Sequence, residues 1–479
     1  MNRKLLIPAL YAFPLSLILA LMIGPILRDG MFKDGLVYTN IARNMADGLG
    51  GFWTPMLDRL GPIFFEHPPL LFWIESLFFR AFGDHLWTED MYNFVILGGT
   101  IGVMYGIWRA LVPATRRQLF FFPLLLWVLS QEVQLRYPNA MLECGMTLVL
   151  LLTAWSFLRL LGRGRGMRGL VVGVGSFLAV LCKGPAGLFL LAMPALHGLI
   201  VERRFNVWEF VVAPVVCAAC FGLLFLLEPA ALEFFTGYLD KQVFAALRGE
   251  RMENIADSRL DILWAVLLMN LPAFVLCGLP RLIRPGEEAG SKTSQSTTRY
   301  GYLFLAIAAS AVLPLMVSIK QASYYQLPAL PFLFIGLGLL LAPRAERMVA
   351  WLGERQPAGR SVIGLGAVGL IATTVFALSM FGTLDRRDTR NVANARAINA
   401  VMVHLGERNY NQKVLGKDAA FASPTYYNIT GYLNRLYALQ YDPSGQSALT
   451  LYLLTEGAKV PEGLEVLYRA DEVMLVRKR

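Results

Sequence analysis

Apolar windows of about 20 residues, the length a helix needs to cross the ~30 Å hydrocarbon core of a bilayer, recur along most of the chain. Such windows lie near 5–27, 92–112, 118–133, 139–161, 168–183, 186–201, 208–228, 260–283, 300–319, 327–342 and 361–382. The pattern therefore predicts a polytopic α-helical membrane protein with about eleven crossings. The first window follows Arg3 and Lys4, has no evident small-residue cleavage site and is followed by many more spans. It reads as a retained anchor.

Three segments break this pattern. Within 28–91, apolar and polar residues alternate at helical spacing over Leu36–Ala46 and Leu70–Phe82, which predicts helices lying along the membrane interface. Segment 229–259 carries charges around Arg248–Arg251. The last segment, 383–479, predicts a small α/β domain with a helix near Ala395–Leu405 and strands at Leu449–Leu454, Leu464–Tyr468 and Val473–Val476. Two domains are expected, 1–382 in the membrane and 383–479 outside it. The polar stretch 284–299 reads as a flexible loop.

Composition narrows the class. Among 479 residues, 56% are hydrophobic and only 16% charged, with mean hydropathy +0.50, which is too apolar for ordinary soluble domains. The net charge of +10 does not indicate nucleic acid, because the basic residues sit in short gaps between apolar runs and not on one solvated face. Those gaps set the orientation. Loops holding Arg109, Arg116 and Arg117, or Arg159, Arg163, Arg165 and Arg168, or Arg203 and Arg204, alternate with basic-poor ones. The N-terminus and the basic loops are then cytoplasmic, and the C-terminal domain is extracytoplasmic, periplasmic where there is an outer membrane. Cys217 and Cys220 spell C-x-x-C inside an apolar run, where packing explains them.

A few polar residues stand where polarity is costly. Asp34 opens an amphipathic helix, where a carboxylate can cap the free N–H groups or serve as a proton acceptor. Glu143 lies about one turn inside the fourth span, where ionised groups are disfavoured and usually paired or functional; Arg136 or a neighbouring helix could partner it. Lys183 precedes a helix-breaking Gly-Pro, and Lys320 ends the ninth span ahead of Tyr324, Tyr325 and Pro328. Each lysine could anchor at the interface, or the two could face an anion together. Glu66 and His67 begin the second interfacial helix. Such a set suits glycosyl transfer from a lipid phosphate, in which a carboxylate activates a hydroxyl and cations stabilise the departing phosphate.

The order of these pieces resembles the GT-C membrane glycosyltransferases related to protein O-mannosyltransferases, and in pattern the lipid A aminoarabinose transferase branch. The matching pieces are Asp34-x-x-x-Tyr38-x-x-Ile41-Ala42-Arg43, Phe65-Glu66-His67-Pro68-Pro69-Leu70, the acidic fourth span, Lys183-Gly184-Pro185, and Lys320 followed by Tyr324, Tyr325 and Leu327-Pro328. The resemblance implies an inverting transferase that takes a sugar from a polyprenyl phosphate. Asp34 would be the base and Glu143 a second acid, with Tyr38, Glu66 and His67 lining the donor site. Arg43, Lys183, Lys320, Tyr324 and Tyr325 complete the expected substrate-binding set. The branch has Lys where this chain has His67, and often a second acid where this chain has Gly35, so the resemblance leaves the sugar open.

The expected partners are the lipid-linked donor, an envelope glycan, lipid or protein acceptor, and the surrounding bilayer of the cytoplasmic membrane. No metal ligands and no organic cofactor are expected, although a divalent ion is compatible with the chemistry. A lipid-linked sugar transporter is the alternative, but transporters more often carry paired broken helices and charges at the bilayer midplane.

Overall fold

The computed structural model describes residues 3–28, 30–31, 33–58, 62–204, 206–245, 248, 256–278, 292–318, 320–381, 389–415, 424–442, 444–454, 459, 462–470 and 473–478. Among these residues, nine helices are long and apolar enough to span a bilayer, and two sharply bent helix pairs bring the number to eleven. The chain is a multi-pass membrane protein with a small C-terminal sheet domain.

The two bent pairs have local causes. Ala114–Val128 and Gln131–Asn139 meet at 76°, where Ser130 leaves helical geometry with ψ 125°. Asp261–Met269 and Leu271–Gly278 meet at 61°. There Pro272 cannot donate to the backbone and its ring crowds the preceding turn. Asn270 fills the gap, its side chain donating to Val266 O (2.7 Å) and to Gln326 Oε1 (2.8 Å). Hydropathy windows 118–133 and 260–283 run through both breaks, because averaging over about 20 residues hides one polar position.

The 284–299 loop needs correction. Lys292–Val312 is one helix, so the Ser- and Thr-rich stretch from 292 onward belongs to its first turns; 284–291 lies outside the described residues. Of the charged group Arg248–Arg251, only Arg248 is described.

The contacts divide the chain into two compact units. One comprises Met1–Leu27, Phe65–Leu71 and Asn93–Phe381; the other comprises Arg28–Phe64, Phe72–Tyr92 and Gly382–Arg479. The interfacial residues 28–64 and 72–92 thus cluster with the C-terminal segment.

In the second unit, strands β1 (Gly50–Gly51) and β2 (Thr54–Pro55) pair as a hairpin. The C-terminal strands are β3 (Asn409–Leu415), β4 (Gln440–Tyr441), β5 (Leu449–Leu454), β6 (Leu464–Arg469) and β7 (Val473–Lys478). They form one sheet in the order β4-β3-β5-β7-β6. β3 runs parallel to both β4 and β5, and β7 runs antiparallel to both β5 and β6. Helices Thr389–His404 and Pro424–Tyr437 belong to the same segment. On the sheet, Tyr452, Met474 and Val476 form an apolar core.

The interfacial helices Lys33–Ala46 and Leu70–Phe82 share an apolar seam, with the Tyr38 and Phe72 rings 5.6 Å apart. Glu75 is buried in it, accepting from Thr39 Oγ1 at 2.9 Å. Burial raises its pKa from the ordinary 4.5 to about 8, partly opposed by the Thr39 bond. A carboxyl raised on folding favours the fold only while protonated, so stability should fall as pH rises between these two values. Glu75→Gln keeps the shape and removes the titration. Chemical denaturation across that window should give a flatter pH dependence for the variant than for the unaltered protein.

Candidate functional site

Within the first unit, charge gathers where three helices begin or end. The turn Tyr137–Asn139 leads to Ala140 in a left-handed conformation (φ 47°), whose N–H is taken by Asn93 Oδ1 at 3.0 Å. This turn starts the Leu142–Arg159 helix and sets Glu143 in its first turn, 1% exposed. Across from it, the Arg165–Lys183 helix ends on Lys183. The two side chains form an ion pair, Lys183 Nζ to Glu143 Oε1 at 2.5 Å. Glu143 Oε2 accepts no hydrogen bond among the described residues.

Gly184 explains why the second helix stops there. Its φ of +105° suits glycine, and a Cβ at this position would collide with the Tyr238 hydroxyl. Tyr238 closes the Pro229–Tyr238 helix. Burial, followed by the neighbouring Tyr325 phenol, holds its hydroxyl above the ordinary range, so it stays a neutral donor.

Tyr324 brings a second ion pair alongside the first. Its ring centroid lies 5.4 Å from Lys183 Nζ and 4.8 Å from Arg136 Cζ, within cation–π range. Arg136 is held by Glu132, Nε to Oε2 at 2.9 Å, with Glu132 only 2% exposed. Tyr325 meets Tyr324 edge-on at 5.0 Å. The cluster thus balances two acids against two cations around a pair of phenols.

Of the expected residues, the structure joins Glu143, Lys183, Tyr324 and Tyr325. Lys320 is half-buried just ahead of the Ser323–Ala329 turn, its backbone N–H donating to Ser318 Oγ at 3.1 Å. Glu66 is exposed and His67 half-buried. The adjacent Phe65 ring packs on Phe234 at 5.5 Å and lies 4.4 Å from Lys241 Nζ.

Asp34, Tyr38 and Arg43 share the Lys33–Ala46 helix of the second unit. Asp34 sits at the second helical position, half-buried, with no hydrogen bond or ion pair to another described residue. A capping carboxylate would accept from a nearby backbone N–H, and no such bond is present among the described residues. Tyr38 is buried. The Arg43 guanidinium, 3% exposed, donates to Asn434 O (2.9 Å), Asn434 Oδ1 (2.7 Å) and Arg435 O (3.2 Å).

The sequence reading passed over Glu132, Tyr238 and Lys241. Glu132 and Arg136 did carry a signal, opposite charges at i and i+4 inside an apolar run. Tyr238 and Lys241 had none, because their positions follow from contacts distant in sequence.

The first unit also holds an apolar cavity of about 280 Å³, lined by residues that include Leu263, Val266, Ala308, Ala329, Leu330 and Leu333. Ala329 is the last residue of the Tyr324 turn. Among the described residues, no three His, Cys, Asp or Glu side chains converge to hold a metal ion.

Residues 66–227 match the profile of the dolichyl-phosphate-mannose-protein mannosyltransferases, a stretch that contains Glu66, His67, Glu143 and Lys183. With nine to eleven candidate spans among the described residues and a C-terminal sheet, the chain shares its fold with a solved membrane protein. That protein is ArnT from Cupriavidus metallidurans, to which this chain is similar in fold. The structure of that protein bound to undecaprenyl phosphate superposes with a TM-score of 0.61 at 15% identity, covering 97% of each chain. Its apo structure gives 0.59 at 16%, covering 96% of this chain and 97% of that one. No curated protein matches this chain by sequence.

The pairing of Lys183 with Glu143 makes a direct test. Lys183→Ala leaves a buried carboxylate uncompensated and should destabilise the protein by about 3–5 kcal/mol. The double variant Lys183→Met with Glu143→Gln removes both charges and should recover most of that loss. Thermal unfolding in detergent, comparing the single with the double variant, measures the difference.

Proposed function

We propose that this chain is an inverting glycosyltransferase that moves a sugar from a polyprenyl-phosphate carrier to a cell-envelope acceptor at the outer face of the cytoplasmic membrane. The observation that carries this reading is the meeting of Glu143 with Lys183 at 2.5 Å inside the stretch that matches the mannosyltransferase profile. The fold shared with a protein solved with undecaprenyl phosphate supports a lipid-linked donor.

In this reading Asp34, a carboxylate without a described partner, takes the proton of the acceptor hydroxyl. The freed oxygen attacks the anomeric carbon from the side opposite the phosphate. The bond from sugar to phosphate oxygen breaks, its electron pair leaves with the polyprenyl phosphate, and the configuration inverts. Lys183, ion-paired with Glu143, has three N–H donors that can meet charge building on the phosphate. Lys320 and the phenols of Tyr324 and Tyr325 complete the phosphate side, and Tyr38, Glu66 and His67 border the sugar. The apolar cavity next to the Tyr324 turn suits isoprenoid carbons of the carrier. The acceptor class, among lipid A, another glycan and a protein, follows from the envelope component that loses a sugar when the gene is deleted.

The lysine- and arginine-rich loops support a cytoplasmic N-terminus and an outside C-terminal domain. An impermeant thiol reagent should label a cysteine introduced in 389–415 in cells whose outer membrane, if they have one, is permeabilised. Protection of that cysteine would reverse the orientation.

Asp34→Asn keeps the size and removes the proton acceptor. Transfer from a radiolabelled polyprenyl-phosphate sugar to extracted envelope acceptor should slow by roughly 10²–10⁴, with donor affinity preserved. Near-normal turnover would remove Asp34 from the chemistry.

A further inference from the structure

The Lys33–Ala46 helix is held along its length by one element from the far end of the sequence, the Pro424–Tyr437 helix. Ahead of Asp34, the Tyr432 hydroxyl donates to Met31 O at 3.1 Å. Gly30 lies directly under that hydroxyl with φ +93°, where a Cβ would strike it. Just after Asp34, Leu36 packs on Gly431, where an added Cβ would come within 3.2 Å of it. Farther along, Asn40 Nδ2 donates to Gly431 O at 3.2 Å, and Arg43 closes the seam on Asn434 and Arg435. One cation, Arg43, thus meets the carboxyl end of the Pro424–Tyr437 helix, where carbonyls lack partners and the helix dipole favours positive charge.

The Pro424–Tyr437 helix is itself fastened. Arg435 pairs with Asp84 (2.6 Å) and Glu89 (2.7 Å) and donates to His85 O (3.0 Å). Asn434 Nδ2 donates to Asp58 Oδ1 at 3.3 Å. Asp34 therefore sits between two fixed points, Met31 and Leu36, on a helix whose other end is locked as well.

We infer that the Pro424–Tyr437 helix is the positioning element for Asp34, with Tyr432 as its positioning residue. The C-terminal segment would then act in the transfer step by fixing where the proton acceptor stands, since small displacements of a reacting group cost large factors in rate. This rests on Asp34 being the base.

The test is a cycle of four proteins: unaltered, Tyr432→Phe, Asp34→Asn and the double variant. Tyr432→Phe keeps the ring and removes the hydroxyl that donates to Met31 O. It should lower kcat by roughly 10- to 100-fold, leave KM for the donor unchanged, and have no further effect once Asp34 is Asn. Gly431→Ala, which pushes on Leu36, should show the same dependence on Asp34. If Asp34→Asn is slow but Tyr432→Phe leaves kcat unchanged, or slows both backgrounds equally, the positioning role is wrong while the proposed base stands. Normal turnover in Asp34→Asn would instead remove the base, and the positioning role with it.

Discussion

A lone carboxylate in an apolar helix bundle would be driven to protonate, and a lone ammonium to lose its proton or reach for water. In this bundle the two charges are not alone, with Lys183 Nζ lying 2.5 Å from Glu143 Oε1. Much of the surrounding architecture serves that meeting. The left-handed Ala140 sets where one helix begins, and Gly184 sets where the other ends. A side chain at 184 would displace Tyr238, and with it the neighbour of Tyr325. The pair costs desolvation and returns it as Coulomb attraction, so its net stability is small while its geometry is strongly determined.

A second ion pair, Glu132 with Arg136, also lies against the Tyr324 ring. Balanced charges of this kind leave the site close to neutral before substrate arrives. In the proposed reaction an incoming phosphate would meet ammonium and guanidinium groups already oriented by their acids, with little reorganisation left to perform. In the same reading, the apolar cavity lined in part by Ala329 would take the hydrocarbon tail.

Much of this was legible in the sequence, and the limits have physical causes. Spans are set by hydrophobic length, which a window average reads well, and the Leu70–Phe82 and Leu449–Leu454 boundaries were visible in the periodicity. Breaks at Ser130 and Asn270 were not, since one polar residue barely moves such an average. Strand β3 went unread because Asn411, a polar residue, is buried and bonded to Gly445 O and Ser447 O, so its alternation looks like a loop. Glu143 and Lys183 stood out because charge inside an apolar run is costly, but which charges pair depends on helices 40 residues apart in the chain. Arg43 reads from sequence as one more cation near the candidate base, and only the fold reveals the carbonyls that hold it.

The second compact unit is assembled from three separated stretches, Arg28–Phe64, Phe72–Tyr92 and Gly382–Arg479. During synthesis the first two emerge early and the third comes last, after every candidate span among the described residues. Until then the Lys33–Ala46 helix lacks Tyr432, Asn434 and Arg435, and Arg43 has no carbonyls to donate to. The order of translation thus makes this unit the last part of the molecule to close, so a chain halted before residue 424 could insert its spans and still leave Asp34 on an unbraced helix.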